Sequence, residues 1–310
     1  MPGMKQLIFF TESFPYGKGE SFIENEIEYL SREFDRIYIL PKISSTQEQR
    51  SLPANCIVFP PIFRSSGELV FKGLFCFSPL FYFFKKLISE KAYTSLYKFK
   101  KYIATAITCR CILADKNFKR LNRQSTESTV YFYWGIGMAY ILPFIYNKDK
   151  KIVRFHRTDL YADLRPHQYI PFRKEVFESL NKAVFISKQG LEYAKKNFGQ
   201  YKFSAYCSYL GTKDHGISKI KNEDGVIHIL SCSNVVPVKR VSLILKSLLL
   251  IPDRPMDTHR RRKRIQCFTT TAPTTTSQSD RKPDRSYYKS GSDRTLSSPS
   301  SRYICQCQCQ

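Results

Sequence analysis

The sequence has no apolar stretch long enough to cross a membrane. A spanning helix requires roughly 18 consecutive apolar residues, and the nearest approach, LVFKGLFCFSPLFYFF, is interrupted by Lys72 and Pro79. The first residues, MPGMKQLIFFTESFP, also lack the long apolar core and the small-residue cleavage site of a secretory signal. These absences argue against the membrane-spanning and secreted classes, and we expect the protein to lie in the cytoplasm.

The ten cysteines lack the spacing of a metal site or of a disulfide scaffold. No C-x-x-C pair occurs, and no cysteine lies at a zinc-like spacing from a histidine. We therefore expect neither a metal nor a cofactor. Six cysteines lie among apolar neighbours, which predicts reduced thiols in a packed core: Cys56, Cys76, Cys109, Cys111, Cys207 and Cys232.

Positive charge dominates the sequence. The 50 Lys and Arg residues outnumber the 26 Asp and Glu residues and give a net charge of +24. Five consecutive basic residues, 260–264, have the composition of a nucleic-acid patch. Yet the sequence has no helix-turn-helix, RRM or zinc signature, so we do not expect nucleic acid as a partner. A non-catalytic basic protein that binds nucleic acid or a membrane is the alternative to an enzyme.

Aromatic and basic residues are concentrated in residues 69–101. This segment is rich in Phe, Tyr and Leu and also contains seven lysines. Such a composition suits shallow attachment to an anionic membrane surface, which predicts a peripheral location on the inner face of the membrane. The alternative is a pair of buried helices whose lysines are solvated.

Residues 1–252 alternate between short β-rich runs and amphipathic helical patterns. Apolar residues recur at helical spacing in ESFIENEIEYLSREF, and SKQGLEYAKKNFG begins at the N-cap candidate Ser187 and ends at Gly199. Continuous apolar strands that alternate with amphipathic helices predict an α/β fold with a parallel sheet covered on both faces. The predicted strands are residues 5–11, 36–41, 129–134, 151–156 and 183–187.

Three segments follow from these patterns. Residues 1–215 form a Rossmann-like domain, and DGVIHILSCSNVVPVKRVSLILKSLLLI begins a second α/β domain within residues 216–252. This second domain is predicted to be incomplete, because a parallel strand needs a partner after its crossover. Residues 253–310 have little apolar content, no glutamate, twelve basic and five acidic residues, which predicts a disordered tail.

Four stretches together resemble the family 4 glycosyltransferases, which are retaining enzymes with the GT-B fold. They are TESFPYGKGESFIENEIEYL, RFHRTDLY, VFISKQGLEYAKKNFG and SCSNVVPVKRVSLI, and the resemblance covers most of residues 5–251. It implies two Rossmann-like domains that face a cleft, with the acceptor on the N-terminal side and the nucleotide-sugar on the C-terminal side. The implied reaction transfers a hexose from the nucleotide-sugar to a glycan or lipid-linked acceptor in cell-surface polysaccharide synthesis.

The first candidate site follows the first predicted strand. Gly17 and Gly19 permit a tight turn and close approach of a ligand, and a helix N-terminus offers free N–H groups to an anion or a sugar hydroxyl. Glu20 is expected in the first turn of that helix, where it either contacts substrate or favours the helix dipole. The alternative is an ordinary flexible loop.

The second candidate site lies just beyond the KIVRF strand. His156 and Asp159 are at a strand end of the kind where α/β folds bind ligands. The resemblance implies that the histidine faces the cleft and contacts the donor sugar or its phosphates. Arg157 is either a cation of the cleft or a surface charge.

The third candidate site ends the SNVVPVKR loop. The resemblance implies that Lys239 and Arg240 bind the donor diphosphate and neutralise the leaving group. The family often has an arginine five residues before that lysine, whereas this sequence has Asn234. The alternative is a solvated start of the next helix.

The basic run has a second explanation. Met-Asp read one nucleotide later always begins with a tryptophan codon, and one permissible coding of MDTHRRRKRIQC then reads Trp-Thr-His-Ile-Gly-Gly-Gly-Lys-Glu-Phe-Asn. A glycine-rich loop is what the resemblance implies at this place. We therefore predict a frameshift between about residues 251 and 256; a genuine basic tail is the alternative. A chain shifted in this way lacks the later donor-domain carboxylates, so its catalytic residues are not identified and we expect little or no activity.

Overall fold

The structure is a computed structural model that describes residues 4–74, 79–123, 128–145, 150–214, 216, 227–230, 239–250 and 265–268. The chain divides into two compact units, Met1–Asp214 and His215–Gln310. The proposed site of the frameshift and the basic run 260–264 lie outside the described residues. So do the positions beyond 268 in the predicted disordered tail.

The first unit is built on a seven-stranded sheet in which every strand pair is parallel. The order β3-β2-β1-β4-β5-β6-β7 is Rossmann-like, and it confirms the predicted α/β class with a parallel sheet. The five predicted strands are confirmed as β1, β2, β4, β5 and β6, whereas the two edge strands were not predicted. The strands are β1 Gln6–Thr11, β2 Arg36–Pro41, β3 Cys56–Val58, β4 Thr129–Phe132, β5 Lys150–Phe155, β6 Lys182–Phe185 and β7 Ser204–Cys207.

Alternate strand residues enter two separate cores, one on each face of the sheet. On one face Leu7 and Phe9 of β1 pack with Ile23 and Ile27. On the other face Ile8 and Phe10 belong to a larger core that also contains Tyr102. Because successive strand residues point to opposite faces, continuous apolar runs such as LIFF supply both cores. This is the physical reason that the central strands read as unbroken hydrophobic segments.

Eight helices of the first unit cover these faces in the described residues. None of the described helices has the length and apolar character needed to span a bilayer. Short 3-10 helices are also present at Ala92–Thr94, Gly137–Phe144, Ala162–Leu164 and Pro166–Gln168. The α-helices are α1 Ile23–Glu33, α2 Ser66–Leu74, α3 Leu80–Ser89, α4 Leu96–Ala114, α5 Lys116–Asn122, α6 Arg157–Leu160, α7 Arg173–Ser179 and α8 Lys188–Phe198.

The predicted boundaries of α8 are confirmed. The hydroxyl of Ser187 accepts the N–H of Gly190 at 3.0 Å and caps the helix start. At the other end, the N–H of Gly199 donates to the carbonyl of Lys195. The start of α1 differs from the prediction, because the helix begins at Ile23 and leaves Glu20 in the preceding loop.

The second unit contains β8 Ile227–Leu230, α9 Val241–Leu249 and β9 Ile265–Phe268 in its described residues. β8 and β9 pair in parallel, with Ile227 opposite Ile265. Two features differ from what was expected: a strand lies within segment 253–310, and β8 has a partner. The other residues of that segment lie outside the described residues, so the incomplete second domain and the disordered tail stay predictions. The composition averaged over the whole tail obscures the short run IQCF, which alternates apolar and polar residues at its start.

Candidate functional site

The strand order of the first unit reverses between β1 and β4, and this places several loops at one edge of the sheet. Because all strands are parallel, the chain leaves β1, β4, β5 and β6 at the same edge. In open α/β sheets, ligands bind in the crevice outside these carboxyl ends. All six predicted site residues of the first unit follow β1 or β5, so they lie at this edge of the sheet.

The Glu20 carboxylate holds the loop after β1 in place. It accepts the backbone N–H groups of Ser13 and Phe14, both at 2.7 Å, and that of Glu12 at 3.2 Å. It also accepts the indole N–H of Trp134, which follows β4, at 2.5 Å. Glu20 has a left-handed backbone with φ 56°. The expectation that it lies in the first helical turn is therefore wrong, because α1 begins only at Ile23; its carboxylate instead connects the loop after β1 to the indole that follows β4.

Gly17 and Gly19 belong to the same loop but contact a different part of the chain. Gly17 has φ 63°, which favours glycine, and its N–H donates to the carbonyl of Glu48 at 3.2 Å. The carbonyl of Gly19 accepts from Arg50 at 2.7 Å. These contacts tie the loop to residues 48–50, and neither glycine lines the cavity that lies against the ends of β5 and β6.

His156 lies at the end of β5 within an aromatic cluster. Its ring centroid is 4.2 Å from Trp134, 5.3 Å from Tyr133 and 5.9 Å from Phe22. The residue is 6% exposed, and neither imidazole nitrogen has a hydrogen-bond partner among the described residues. A buried polar group of this kind is uncommon, because it loses water without replacing its hydrogen bonds. A neutral imidazole can donate through one nitrogen and accept through the other.

Asp159 is fully buried and serves the backbone. Its carboxylate accepts the N–H of Gly135, which follows β4, at 2.7 Å and the N–H of His156 at 2.5 Å. Its own carbonyl accepts from Arg173. Both carboxylate oxygens therefore join the ends of β4 and β5. Asp159 was predicted as a substrate-binding residue just beyond the KIVRF strand. Its carboxylate is directed to these backbone N–H groups, and its Oδ2 also lies 3.8 Å from Nδ1 of His156.

A cavity of about 440 Å³ lies against the ends of β5 and β6. His156 and the exposed Arg157 contribute to its wall from one side, and the first residues of α8 contribute from the other. Its volume is within the range of small-molecule sites. The complete lining comprises Phe155, His156, Arg157, Leu160, Tyr161, Asp163, Leu164, Ile186, Ser187, Gln189 and Gly190.

Gly190 allows α8 to approach the wall of this cavity. A Cβ atom at this position would lie 3.2 Å from Cδ2 of Leu160 and 3.3 Å from the hydroxyl of Ser187, which is tighter than ordinary packing. Neither Gly190 nor Trp134 was predicted as a site residue. The sequence does contain a signal for the glycine, since it occurs inside the first turn of a helix that otherwise has none.

An ion pair between the buried Arg154 and the part-buried Glu26 lies next to the site. Arg154 precedes His156 by two residues, so both side chains point to the same face of the sheet. Its guanidinium donates to Glu26 of α1 at 3.0 Å and to the hydroxyl of Tyr131 at 2.7 Å. Tyr131 in turn donates to Glu26 at 2.7 Å, and burial raises the pKa of Tyr131 well above its usual value. The network joins β4, β5 and α1.

Lys239 and Arg240 belong to the second unit. Both are exposed, and they precede α9, where the carbonyl of Arg240 accepts the N–H of Leu243 at 2.9 Å. Arg240 has a left-handed backbone with φ 49°. The rest of their predicted loop, including Asn234, lies outside the described residues.

The described part of the chain contains no group of three His, Cys, Asp or Glu side chains that could hold a metal ion. The residues around the cavity offer hydrogen bonding, charge and aromatic contact. No protein-family model matches the chain, and the comparison with curated proteins also found no match.

Proposed function

We propose that the chain derives from a retaining hexosyltransferase of the GT-B type, which uses a nucleotide-sugar and a glycan or lipid-linked acceptor. In this proposal the first unit is the acceptor-side domain, and the cavity beside His156 receives sugar. The residue stretches that resemble family 4 glycosyltransferases and the all-parallel sheet support it. The observation that carries it is the buried imidazole of His156, which has no hydrogen-bond partner among the described residues and lies in the wall of a cavity.

The residues of the site have distinct roles in this proposal. His156 binds a sugar hydroxyl, since its two nitrogens can accept and donate at once. Trp134 offers an aromatic face beside it, and Glu20 holds that indole by its N–H. Asp159 positions the backbone of His156 without contacting sugar.

The donor side of the proposal rests on the second unit. Lys239 and Arg240 are the proposed ligands of the donor diphosphate, whose charge they would neutralise as the leaving group departs. We further propose that the 310-residue chain has little or no transferase activity, because the frameshift replaces the later donor-domain carboxylates. Sequencing the locus from independent DNA tests the frameshift, which an intact reading frame preserved in related strains contradicts. Detectable transfer from a sugar nucleotide by the purified 310-residue chain contradicts the loss of activity.

The only tryptophan of the chain provides the test of sugar binding. Titration with oligosaccharides and short-chain lipid-linked sugars is expected to change Trp134 emission saturably, and His156→Asn is expected to weaken binding about tenfold or more. His167→Asn is the matched control, because His167 contacts Tyr97 and does not line the cavity. The proposal is wrong if no sugar changes the emission, or if both variants bind like the parent.

A separate observation favours a second function, attachment to an anionic membrane. On α3 the apolar residues Leu80, Phe81, Phe84 and Ile88 are 51–80% exposed and recur at helical spacing on one side. Lys85 is exposed between them. These five residues form what we call the α3 outer surface. An exposed stripe of this kind marks an interaction site, and its lysine favours anionic lipid.

The exposure of the α3 outer surface argues against the alternative in which this segment forms two buried helices. Only part of α3 faces the core, where Phe83 is 5% exposed. Co-sedimentation with liposomes that contain or lack anionic lipid tests the attachment. Equal and negligible binding to both kinds of liposome contradicts it.

A further inference from the structure

The chain that follows β7 lies along α1. Residues 208–214, which we call the strap, have no regular secondary structure, and each of them is exposed. The side-chain N–H of Asn25 donates to the carbonyl of Gly211 at 3.2 Å. The ammonium of Lys213 donates to the carboxylate of Glu28 at 2.6 Å. Two side chains of α1 therefore hold the far end of the strap.

The near end of the strap is held by the sheet itself. The N–H of Ser208 donates to the carbonyl of Phe185 at 2.8 Å, and the carbonyl of Ser208 accepts from the guanidinium of Arg154 at 3.1 Å. Phe185 is the last residue of β6 and Arg154 belongs to β5, and both are buried. Ser208 is therefore a fixed point from which the rest of the strap leaves the sheet.

Charge favours the contact between the strap and α1. In a chain of net charge +24, this helix contains four glutamates and a single arginine. Glu28 above all, and Glu24 to a smaller extent, raise the pKa of Lys213, so its ammonium form is stabilised at this place. α1 is thus an acidic helix in a basic protein, and a basic segment matches its charge.

The contacts at the far end of the strap are of a kind that opens easily. The side chains of Lys213 and Glu28 are 53% and 46% exposed, and exposed ion pairs contribute little and are screened by salt. The two large apolar side chains of the strap, Tyr209 and Leu210, are also exposed, and a Cβ atom at Gly211 would meet no atom within 4 Å. A segment with so little apolar burial opens at a low free energy.

We infer that α1 is a docking surface for the strap, which is latched there by Asn25 and Glu28 and detaches, while Ser208 stays fixed, when these contacts open. Detachment frees residues 209–214, which span about 20 Å when extended. The chain that continues from Asp214 therefore starts either at a fixed point on α1 or at the end of a tether. Ionic strength controls the choice, because the contact to Glu28 is an exposed ion pair. The latch lies outside the cavity and does not require transferase activity.

Trypsin cleavage after Lys213 in the full 310-residue chain measures the opening of the latch. The protease takes the lysine side chain into its own specificity pocket, so it cuts here only after Lys213 has left Glu28. At low protease concentration the rate follows the population of the open form. Cleavage after the exposed Lys202, which precedes β7, is the internal reference, and mass spectrometry gives the ratio of the two rates.

Glu28→Gln is expected to raise the ratio of cleavage after Lys213 to cleavage after Lys202 by about twofold to fivefold, because it removes the ion pair. Asn25→Ala should raise the ratio as well, since it removes the hydrogen bond to Gly211. Glu33→Gln is the matched control: it removes an exposed carboxylate from the last residue of the same helix and should leave the ratio unchanged. Circular dichroism verifies that each variant keeps the helical content of the parent.

Salt distinguishes a latch from a general loss of stability. Raising the ionic strength from about 0.05 M to about 0.5 M shortens the range of charge interactions and is expected to raise the ratio in the parent. The rise should be smaller in Glu28→Gln, which has no ion pair left to screen. The latch is overturned if Glu28→Gln has the ratio of the parent, if Glu33→Gln raises it as much as Glu28→Gln does, or if salt raises it equally in Glu28→Gln and the parent.

Discussion

The imidazole of His156 and the indole of Trp134 lie with their ring centroids 4.2 Å apart at an angle of 34°. The two residues follow different strands, and the indole N–H donates to Glu20 from a third loop. The position of the histidine ring therefore depends on a carboxylate that does not contact it. A change in any one of these three loops should consequently alter the other two.

Glu20→Gln is expected to destabilise the first unit by about 2 kcal/mol, because the carboxylate accepts five hydrogen bonds and hydrogen bonds to charged groups are the stronger ones. Urea unfolding followed by circular dichroism measures the change. Glu33→Gln is the control, since Glu33 is exposed at the end of α1. Equal stability of the two variants would show that Glu20 does not hold the loop.

Gly190→Ala is expected to destabilise the chain by about 1–2 kcal/mol, because its new methyl group would press on Leu160 and Ser187. Since both neighbours line the cavity, the variant should also bind the oligosaccharides more weakly in the Trp134 emission titration. Gly67→Ala is the matched control, as its Cβ would have no neighbour closer than 3.7 Å. We expect that variant to be neutral or up to about 1 kcal/mol more stable; an equal loss in both would contradict the close approach of α8.

Arg154→Leu is expected to cost about 1–3 kcal/mol, because it leaves the part-buried carboxylate of Glu26 without its cation. The double variant with Glu26→Leu should lose less than the two single variants together. A double-mutant cycle in urea measures this coupling, which we expect to exceed about 1 kcal/mol. Additive losses would mean that the two residues stabilise the sheet independently.

Glu90 is expected to make stability depend on pH. Burial raises the pKa of Glu90 to about 7, against the lowering effect of hydrogen bonds from Tyr169 and Phe172. Because the folded pKa lies above the unfolded value, folding favours the protonated form. This contribution is fully present below the unfolded pKa of about 4.5 and is lost as pH rises toward 7. Glu175 and Lys86 are the nearby charges, with opposite effects.

Unfolding free energies of the parent and Glu90→Gln, compared between pH 4.5 and 8, measure this dependence. The stability of the parent relative to the variant should fall across that interval, by at most about 1.4 kcal/mol per pH unit. Above pH 8 the difference should be constant. A difference that does not change with pH, or that rises, would show that Glu90 ionises normally in the folded chain.

The central part of the fold was predictable from the sequence, because its strands are continuous apolar runs that fill a core on both sides. The edge strands were not. β3 has three residues, and its middle residue Ile57 is 41% exposed, while β7 exposes Tyr206. Edge strands pack on fewer neighbours, so their sequences carry a weaker hydrophobic signal.

The candidate site was predictable only in part. The position of His156 at a strand end follows from the KIVRF run, but its contact with Trp134 depends on β4 pairing with β5. The order of the strands depends on the packing of the whole sheet, so no short sequence pattern predicts which strands become neighbours. For the same reason Glu20 was predicted to lie in a helix, whereas its hydrogen-bond donors come from the loop after β1 and the loop after β4.

The carboxylate of Asp159 joins the backbone of Gly135 to that of His156, which lines the cavity. These two hydrogen bonds fix the backbone of one wall residue from within the protein, so a bound molecule loses its own freedom but imposes little ordering at this residue. Association of this kind avoids one of the main entropic penalties of recognition. Even a small, weakly held ligand could then select its orientation from the chemistry of the wall alone.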